Sequence, residues 1–165
     1  MAYPTLSANP IIEELLVGNV FNATMPNLAP GTGSNYAWQL WNPTTNTKRL
    51  YVFSLTYENG GANSANLYTT TAQISLNTPS PGTIQNLNQG STNQSNAVCQ
   101  YSTVGGAPSL TNTTLFHTPT TAATSTIEIF GNGSGIILPP GTGLMLYTFL
   151  NSGNLFVCTA RYVEF

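Results

Sequence analysis

His117 is the one histidine among 165 residues, and histidine is the side chain whose ordinary pKa suits proton transfer near neutral pH. No acid lies near it in sequence, and no Gly-x-Ser-x-Gly is present, so a Ser–His–acid arrangement would have to be assembled from distant segments. Glu13 and Glu14 are adjacent and would point to opposite faces of a strand, while Glu58, Glu128 and Glu164 are scattered. A paired-carboxylate glycosidase needs two acids at a set separation, and nothing in this spacing sets one. Calcium sites need several clustered carboxylates, and the chain has no aspartate. Cys99 and Cys158 beside a single histidine match no zinc pattern. The expectation is therefore a protein with no catalytic residues, no metal site and no cofactor.

Two chemistries remain. Cys99 and Cys158 sit in β-rich segments, Ala97-Val98-Cys99-Gln100-Tyr101 and Phe156-Val157-Cys158-Thr159. On neighbouring strands they could form a disulfide, with Cα atoms in the roughly 4.4–6.8 Å window. Otherwise they are two buried thiols acting as small apolar side chains. Trp38, Trp41, Tyr51, Phe53, Tyr57 and Tyr68 could line a carbohydrate-binding face with help from Asn amides. The competing reading of these aromatics is the core of a β-sandwich.

Composition narrows the partners. Charged residues make up only 5 % of the chain, five acids against three bases, with a net charge of −2. Globular domains carry roughly a quarter, so Asn, Thr, Ser, Gln and Gly must cover the surface. Copies of such a protein repel one another weakly, and their surfaces can meet without stripping water from charges. Lys48, Arg49 and Arg161 are too few to form a phosphate-binding surface, so no nucleic acid is expected. No apolar run approaches the ~18 residues of a membrane span. The start of the chain lacks a basic region followed by an apolar stretch, so no signal peptide is recognisable.

The elements that would position any site are strands. Residues 136–138, 144–149 and 155–163 read as strand, turn, strand, turn, strand, the turns being Pro139-Pro140-Gly141-Thr142-Gly143 and Asn151-Ser152-Gly153-Asn154. The Pro-Gly-Thr-Gly of 140–143 also occurs at 30–33, and each copy reads as a rigid turn before an apolar strand. Upstream strands are expected at 20–25, at 36–41, and at 50–57 with Tyr51, Phe53, Leu55 and Tyr57 on one face. Others are expected at 67–76, 97–104, 114–118 and 123–130. The polar stretch 77–96 reads as a long exposed connection with a short segment near Ile84 to Leu87. Eight to ten strands at this spacing predict an all-β, antiparallel β-sandwich over residues 20–165, preceded by an N-terminal arm at 1–19.

The arm carries Ile11, Ile12, Leu15, Leu16 and Val17 within seven residues. Pro10 suits a first helical position and Gly18 a stop, so residues 11–17 are a short helix or, alternatively, a strand. A two-turn helix is marginal alone and needs a groove on its own sandwich or on another copy.

Three motifs carry a resemblance. Leu40-Trp41-Asn42-Pro43, the Tyr/Val/Phe-rich strand from Arg49 to Tyr57, and Leu138-Pro139-Pro140-Gly141-Thr142-Gly143 resemble small β-sandwich proteins of spore-forming Bacillota over residues 36–165. The chain is more loosely similar to jelly-roll subunits of endospore appendages, which polymerise through an N-terminal arm and disulfides, and this resemblance implies a jelly-roll form of the sandwich. The arm here has no cysteine, so the resemblance implies coupling by docked strands or helices. Together these readings predict a structural subunit that associates with other copies of itself in a surface layer, spore appendage, fibre or virion-like polymer. That assembly would lie at the spore or cell surface. The alternative is a binding module for surface carbohydrate.

Overall fold

The computed structural model describes residues 10–28, 35–59, 63–103, 107–118, 120–121, 125–131, 134–148 and 155–165. The turns expected at 29–33 and 151–154, and the arm before residue 10, lie outside the described residues. The described chain holds one helix, α1 (Pro10–Val17), and thirteen strands. These are β1 (Val20–Thr24), β2 (Tyr36–Asn42), β3 (Leu50–Asn59), β4 (Asn63–Thr70), β5 (Ser80–Pro81), β6 (Thr83–Asn86) and β7 (Val98–Ser102), followed by β8 (Thr113–His117), β9 (Thr120–Thr121), β10 (Ser125–Phe130), β11 (Ile136–Leu138), β12 (Thr142–Thr148) and β13 (Phe156–Glu164).

Every pairing is antiparallel, and the pairs nest. β1 pairs with β13, β2 with β12, β3 with β10 and β4 with β8. The four pairs distribute over two sheets, β1-β13-β3-β10 and β2-β12-β4-β8, which is jelly-roll topology. The insertion between β4 and β8 adds β6 beside β1 in the first sheet, and β7 then β5 beside β2 in the second. We call them the front sheet (β1, β3, β6, β10, β11, β13) and the back sheet (β2, β4, β5, β7, β8, β9, β12), in which β9 pairs with β4 beyond β8.

The alternation read from sequence explains the packing. Tyr36, Trp38 and Leu40 of β2 and Leu144 and Leu146 of β12 point between the sheets, against Phe21, Leu55, Tyr57, Phe156 and Tyr162 of the front sheet. Their alternates Ala37, Met145 and Tyr147 form a second cluster on the outer side of the back sheet. The two central back strands are thus apolar on both faces, as sheets covered on both sides require.

Two strand expectations need correction. In β3 the inward residues are Leu50 and Val52, then Leu55 and Tyr57, while Tyr51 and Phe53 are half-buried outside. The partner of Arg161 is Ser54 and that of Tyr162 is Val52, so Phe53 is an extra residue, a bulge. A bulge inserts one residue and reverses the phase of the alternation. The strand expected over 67–76 ends at Thr70. Residues 71–79 leave the ladder and cross the outer side of the back sheet, where Ile74 and Leu76 complete the second cluster. Gln100 Nε2 donates to Ile74 O at 3.4 Å, and Ser102 Oγ donates to Asn77 O.

Two of the family-like motifs meet in space. Asn42 is fully buried and its Nδ2 donates to Lys48 O at 3.0 Å and to Leu138 O at 2.9 Å. Gly141 N donates to Asn42 O at 2.8 Å, and Asn46 Nδ2 donates to Asn42 Oδ1 at 2.8 Å. The Asn-Pro and the Pro-Pro-Gly-Thr-Gly turn therefore hold one end of the β2–β12 pair, a structural role.

Candidate assembly surface

The outer side of the front sheet carries an apolar row. Ile137 of β11 lies opposite Tyr51 of β3, Tyr51 opposite Val163 of β13, and Val163 opposite Val20 of β1. Directly opposed residues in antiparallel strands share a face. At the Val20 end the row is closed, with Val20 and Val163 1 % and 4 % exposed. At the other end Ile137 is 49 % exposed.

Helix α1 accounts for the difference. It lies next to β1. Ile11 and Glu14 of the helix, with Tyr51, Ile137, Val163 and the C-terminal Phe165, bound a groove of 420 Å³. Eight residues at 1.5 Å rise make a helix of about 12 Å, too short to cover four strands spaced ~4.8 Å apart and their flanks.

The helix end is fully accounted for. Gly18 adopts φ +79°, Gly18 N donates to Leu15 O at 3.1 Å and Asn19 N to Glu14 O at 2.8 Å. This is the Schellman arrangement. The next carbonyls are taken by side-chain amides from the β4–β8 insertion. Asn88 Nδ2 donates to Leu16 O at 3.1 Å, Asn93 Nδ2 to Val17 O at 3.0 Å and Asn86 Nδ2 to Gly18 O at 2.7 Å. A charge-poor chain here uses Asn where Lys or Arg commonly serve helix C-termini. A Cβ at Gly18 would come within 2.0 Å of Ser91 Oγ, so the site needs glycine for space as well as for φ. The stretch 77–96, read as an exposed connection, thus contains β5 and β6 and clamps the helix.

The arm residues divide. Ile11 and Leu15 are half-buried against the sandwich, whereas Leu16 and Val17 are 74 % and 59 % exposed. Ile12 is helical, and its side chain lies outside the described set. Of the residues that helical spacing could gather into one apolar stripe, Ile11, Ile12, Leu15 and Leu16, the structure turns Ile11 and Leu15 inward and leaves Leu16 out. Glu14 occupies the inward place, and its Oε2 accepts from Asn19 Nδ2 at 2.8 Å.

The other candidates resolve as follows. Trp38, Trp41, Tyr57 and Tyr68 are buried, at 0 %, 6 %, 0 % and 7 % exposure, and Tyr51 and Phe53 are half-buried. They form no exposed sugar-binding row. Cys99 and Cys158 are free thiols on facing sheets, in β7 and β13, both inside the core. Of the two readings offered by the sequence, this is the pair of buried thiols acting as small apolar side chains, and not the disulfide across neighbouring strands. Burial pushes the Cys99 thiol up to about 12, and Trp38 at its side lowers it. Trp38 Nε1 has no stronger acceptor: it is buried without a sound hydrogen bond. Burial, and then the neighbouring Cys99, hold the Cys158 thiol well above its ordinary value. High pKa values make both unreactive. His117 is exposed at the end of β8, opposite Leu67.

One polar cluster went unread in the sequence. Glu164 is 1 % exposed, and its Oε1 accepts from Ser95 Oγ at 2.5 Å and from Asn96 N at 3.1 Å. Ser95 Oγ also meets Tyr162 Oη at 2.6 Å and accepts from Ala97 N at 3.0 Å. The cluster ties the end of the insertion to β13, and residues 68–69 apart leave no local signature. Among the described residues no group of three or more His, Cys, Asp or Glu could hold a metal ion, and no helix is long and apolar enough to cross a membrane. Comparison with family models, with curated proteins and with solved structures yields no match.

Proposed function

We propose that this protein is a non-enzymatic structural subunit that assembles with copies of itself into a surface layer, spore appendage, fibre or virion-like polymer at a spore or cell surface. The observation that carries the reading is the half-covered apolar row on the front sheet, open at Ile137 and Phe165, each 49 % exposed, with Leu16 and Val17 of the helix uncovered as well at 74 % and 59 %. A second copy is the favoured occupant because the chain has almost no charge to repel it.

Magnitudes limit what this surface does alone. Fully burying a large apolar side chain is worth about 1.5–3 kcal/mol, so four half-exposed ones yield roughly 3–6 kcal/mol. Association costs about 4–15 kcal/mol. A single contact of this kind is weak and becomes effective only when repeated in an array. Light scattering on the full-length chain and on the double variant Leu16→Glu, Ile137→Glu tests the reading. The expected result is a concentration-dependent mass above 17.5 kDa that the variant loses while it still melts cooperatively. Deleting residues 1–17 is expected to lower the mass likewise. A full-length chain that stays monomeric at every accessible concentration overturns the proposal.

A further inference from the structure

The sheet edges are guarded unequally. β5 is two residues long and includes Pro81, which has no N–H to offer. β6 runs directly into the loop that clamps the helix, through Asn86. β10 exposes Glu128 and is kinked where its register shifts between Glu128 and Phe130. β11 is three residues long and ends at Pro139. Short strands, prolines, charges and bulges all discourage added strands. β8 is five residues, Thr-Thr-Leu-Phe-His, with no acid, lysine, arginine or proline; its one guard is a bulge at Phe116, and four of the five residues are exposed.

Both apolar layers of the sandwich run out to this edge. Leu115 lies opposite Tyr68, which lies opposite Met145, so Leu115 extends the outer cluster of the back sheet. It is 53 % exposed. The ladder with β4 skips Phe116, whose ring packs edge-on against Phe130 of the inter-sheet core, with centroids 5.6 Å apart. Phe116 is 50 % exposed and holds a fixed place at the rim. Leu110, 41 % exposed, lies just before the strand.

The ladder also gives the direction of the backbone. Thr71 N donates to Asn112 O at 3.0 Å, which makes Thr70 and Thr113 a pair without mutual hydrogen bonds. Alternation then makes Thr69–Thr114 the bonded pair and turns the N–H and C=O of Leu115 away from β4. Thr113 N is already taken by Leu110 O at 3.3 Å. Leu115 is therefore the residue that offers both a donor and an acceptor to an added strand.

We propose that β8 pairs antiparallel with β8 of a second copy about a two-fold axis centred on Leu115, joining the two back sheets into one. The pairing is self-complementary. Leu115 exchanges two backbone hydrogen bonds with its counterpart, and Thr114 falls opposite Phe116 and His117 of the other strand, where the bulge sets two residues against one, so the two His117 side chains are not opposed. The added strand carries a second Leu115 and Phe116 and so continues both apolar layers. This inference rests on the self-assembly reading and deepens it. A two-fold contact closes at two copies, and the front-sheet surface then links the pairs into a longer assembly.

The test is chosen so that the two contacts fail separately. Leu115→Pro removes the outward N–H, which β4 does not use, and is expected to lower the assembled mass at least twofold in light scattering while the far-ultraviolet circular dichroism is unchanged. Leu115→Lys, which keeps the N–H and adds a charge, is expected to raise the concentration of half-association by about tenfold or more. Leu115→Cys is expected to give a dithiothreitol-reversible dimer on non-reducing gels, with Thr114→Cys giving none, because only residue 115 lies opposite its own counterpart about this axis. If Leu115→Cys stays monomeric under oxidation, or Leu115→Lys leaves the mass unchanged while Leu16→Glu, Ile137→Glu lowers it, the edge pairing is wrong and the front-sheet reading survives. If the Leu115 variants lower the mass and the front-sheet variant does not, the edge pairing stands alone.

Discussion

The outer sides of the two sheets begin from the same problem and end differently. Each carries an apolar row across three or more strands, Ile137–Tyr51–Val163–Val20 in front and Tyr68–Met145 with Tyr147 and Ala37 behind. The back row is sealed by residues 71–79, which bring Ile74 and Leu76 to 4 % exposure each. The front row is covered by an eight-residue helix that leaves its far end open. An irregular segment with its own apolar side chains can follow a flat sheet across its width, whereas a short rigid helix covers one end. The closed face therefore belongs to the fold, and the open face is free to bind.

The largest expected effect lies on the sealed side. Leu76→Ala is expected to destabilise by about 2–5 kcal/mol in urea unfolding, as large-to-small changes at buried sites do. Ile137→Ala, half-exposed on the open side, is expected to stay within about 1 kcal/mol. Equal losses would erase the distinction between the two faces.

The core that both faces share sets the next effect. Cys99 and Cys158 titrate higher in the folded protein than in the unfolded chain. Above pH 9 the unfolded thiols lose protons and the folded ones do not. Stability is therefore full below the ordinary thiol value of 9.0 and is lost as pH rises toward about 12. The slope is up to about 1.4 kcal/mol per pH unit for each thiol. Urea midpoints from pH 7 to 11 check the sign, and a double Cys→Ser variant is expected to flatten the loss.

The smallest effects probe the helix clamp. Gly18→Ala is expected to cost about 1–2 kcal/mol for the left-handed backbone alone, with further strain against Ser91. Asn93→Ala removes one capping amide and is expected to cost about 0.5–1.5 kcal/mol. Hydrogen exchange at the backbone amides of residues 14–19 reads both. Faster exchange there with unchanged exchange in residues 71–79 separates the two coverings, and a uniform change across both would merge them.

Much of the architecture was legible. Apolar runs bounded by Gly, Pro and Asn turns identified β1, β2, β8, β12 and β13 within a few residues, because such punctuation marks strand ends directly. Gly18 ended the helix where a positive-φ residue was needed. The antiparallel sandwich class followed from strand number and spacing. The shared face of Ile11 and Leu15 was legible from their i, i+4 spacing, whereas the choice of Glu14 over Leu16 as its third member depends on how the helix rests beside β1.

What the sequence by itself determined is therefore local: the strand periods, the helix stop, the near-absence of charge, and the excess of large apolar side chains in the arm. The tertiary structure decided everything that joins distant residues. The Phe53 bulge exists because β13 pairs across it. Ser95 and Glu164 meet because the insertion returns along the last strand. Three Asn amides reach the helix from roughly 70 residues away, and β8 became an edge only when β4 took its other side. A period of two is written into a strand by its own backbone, but its neighbours are chosen by the packing of the whole chain, and no short window of sequence carries that choice.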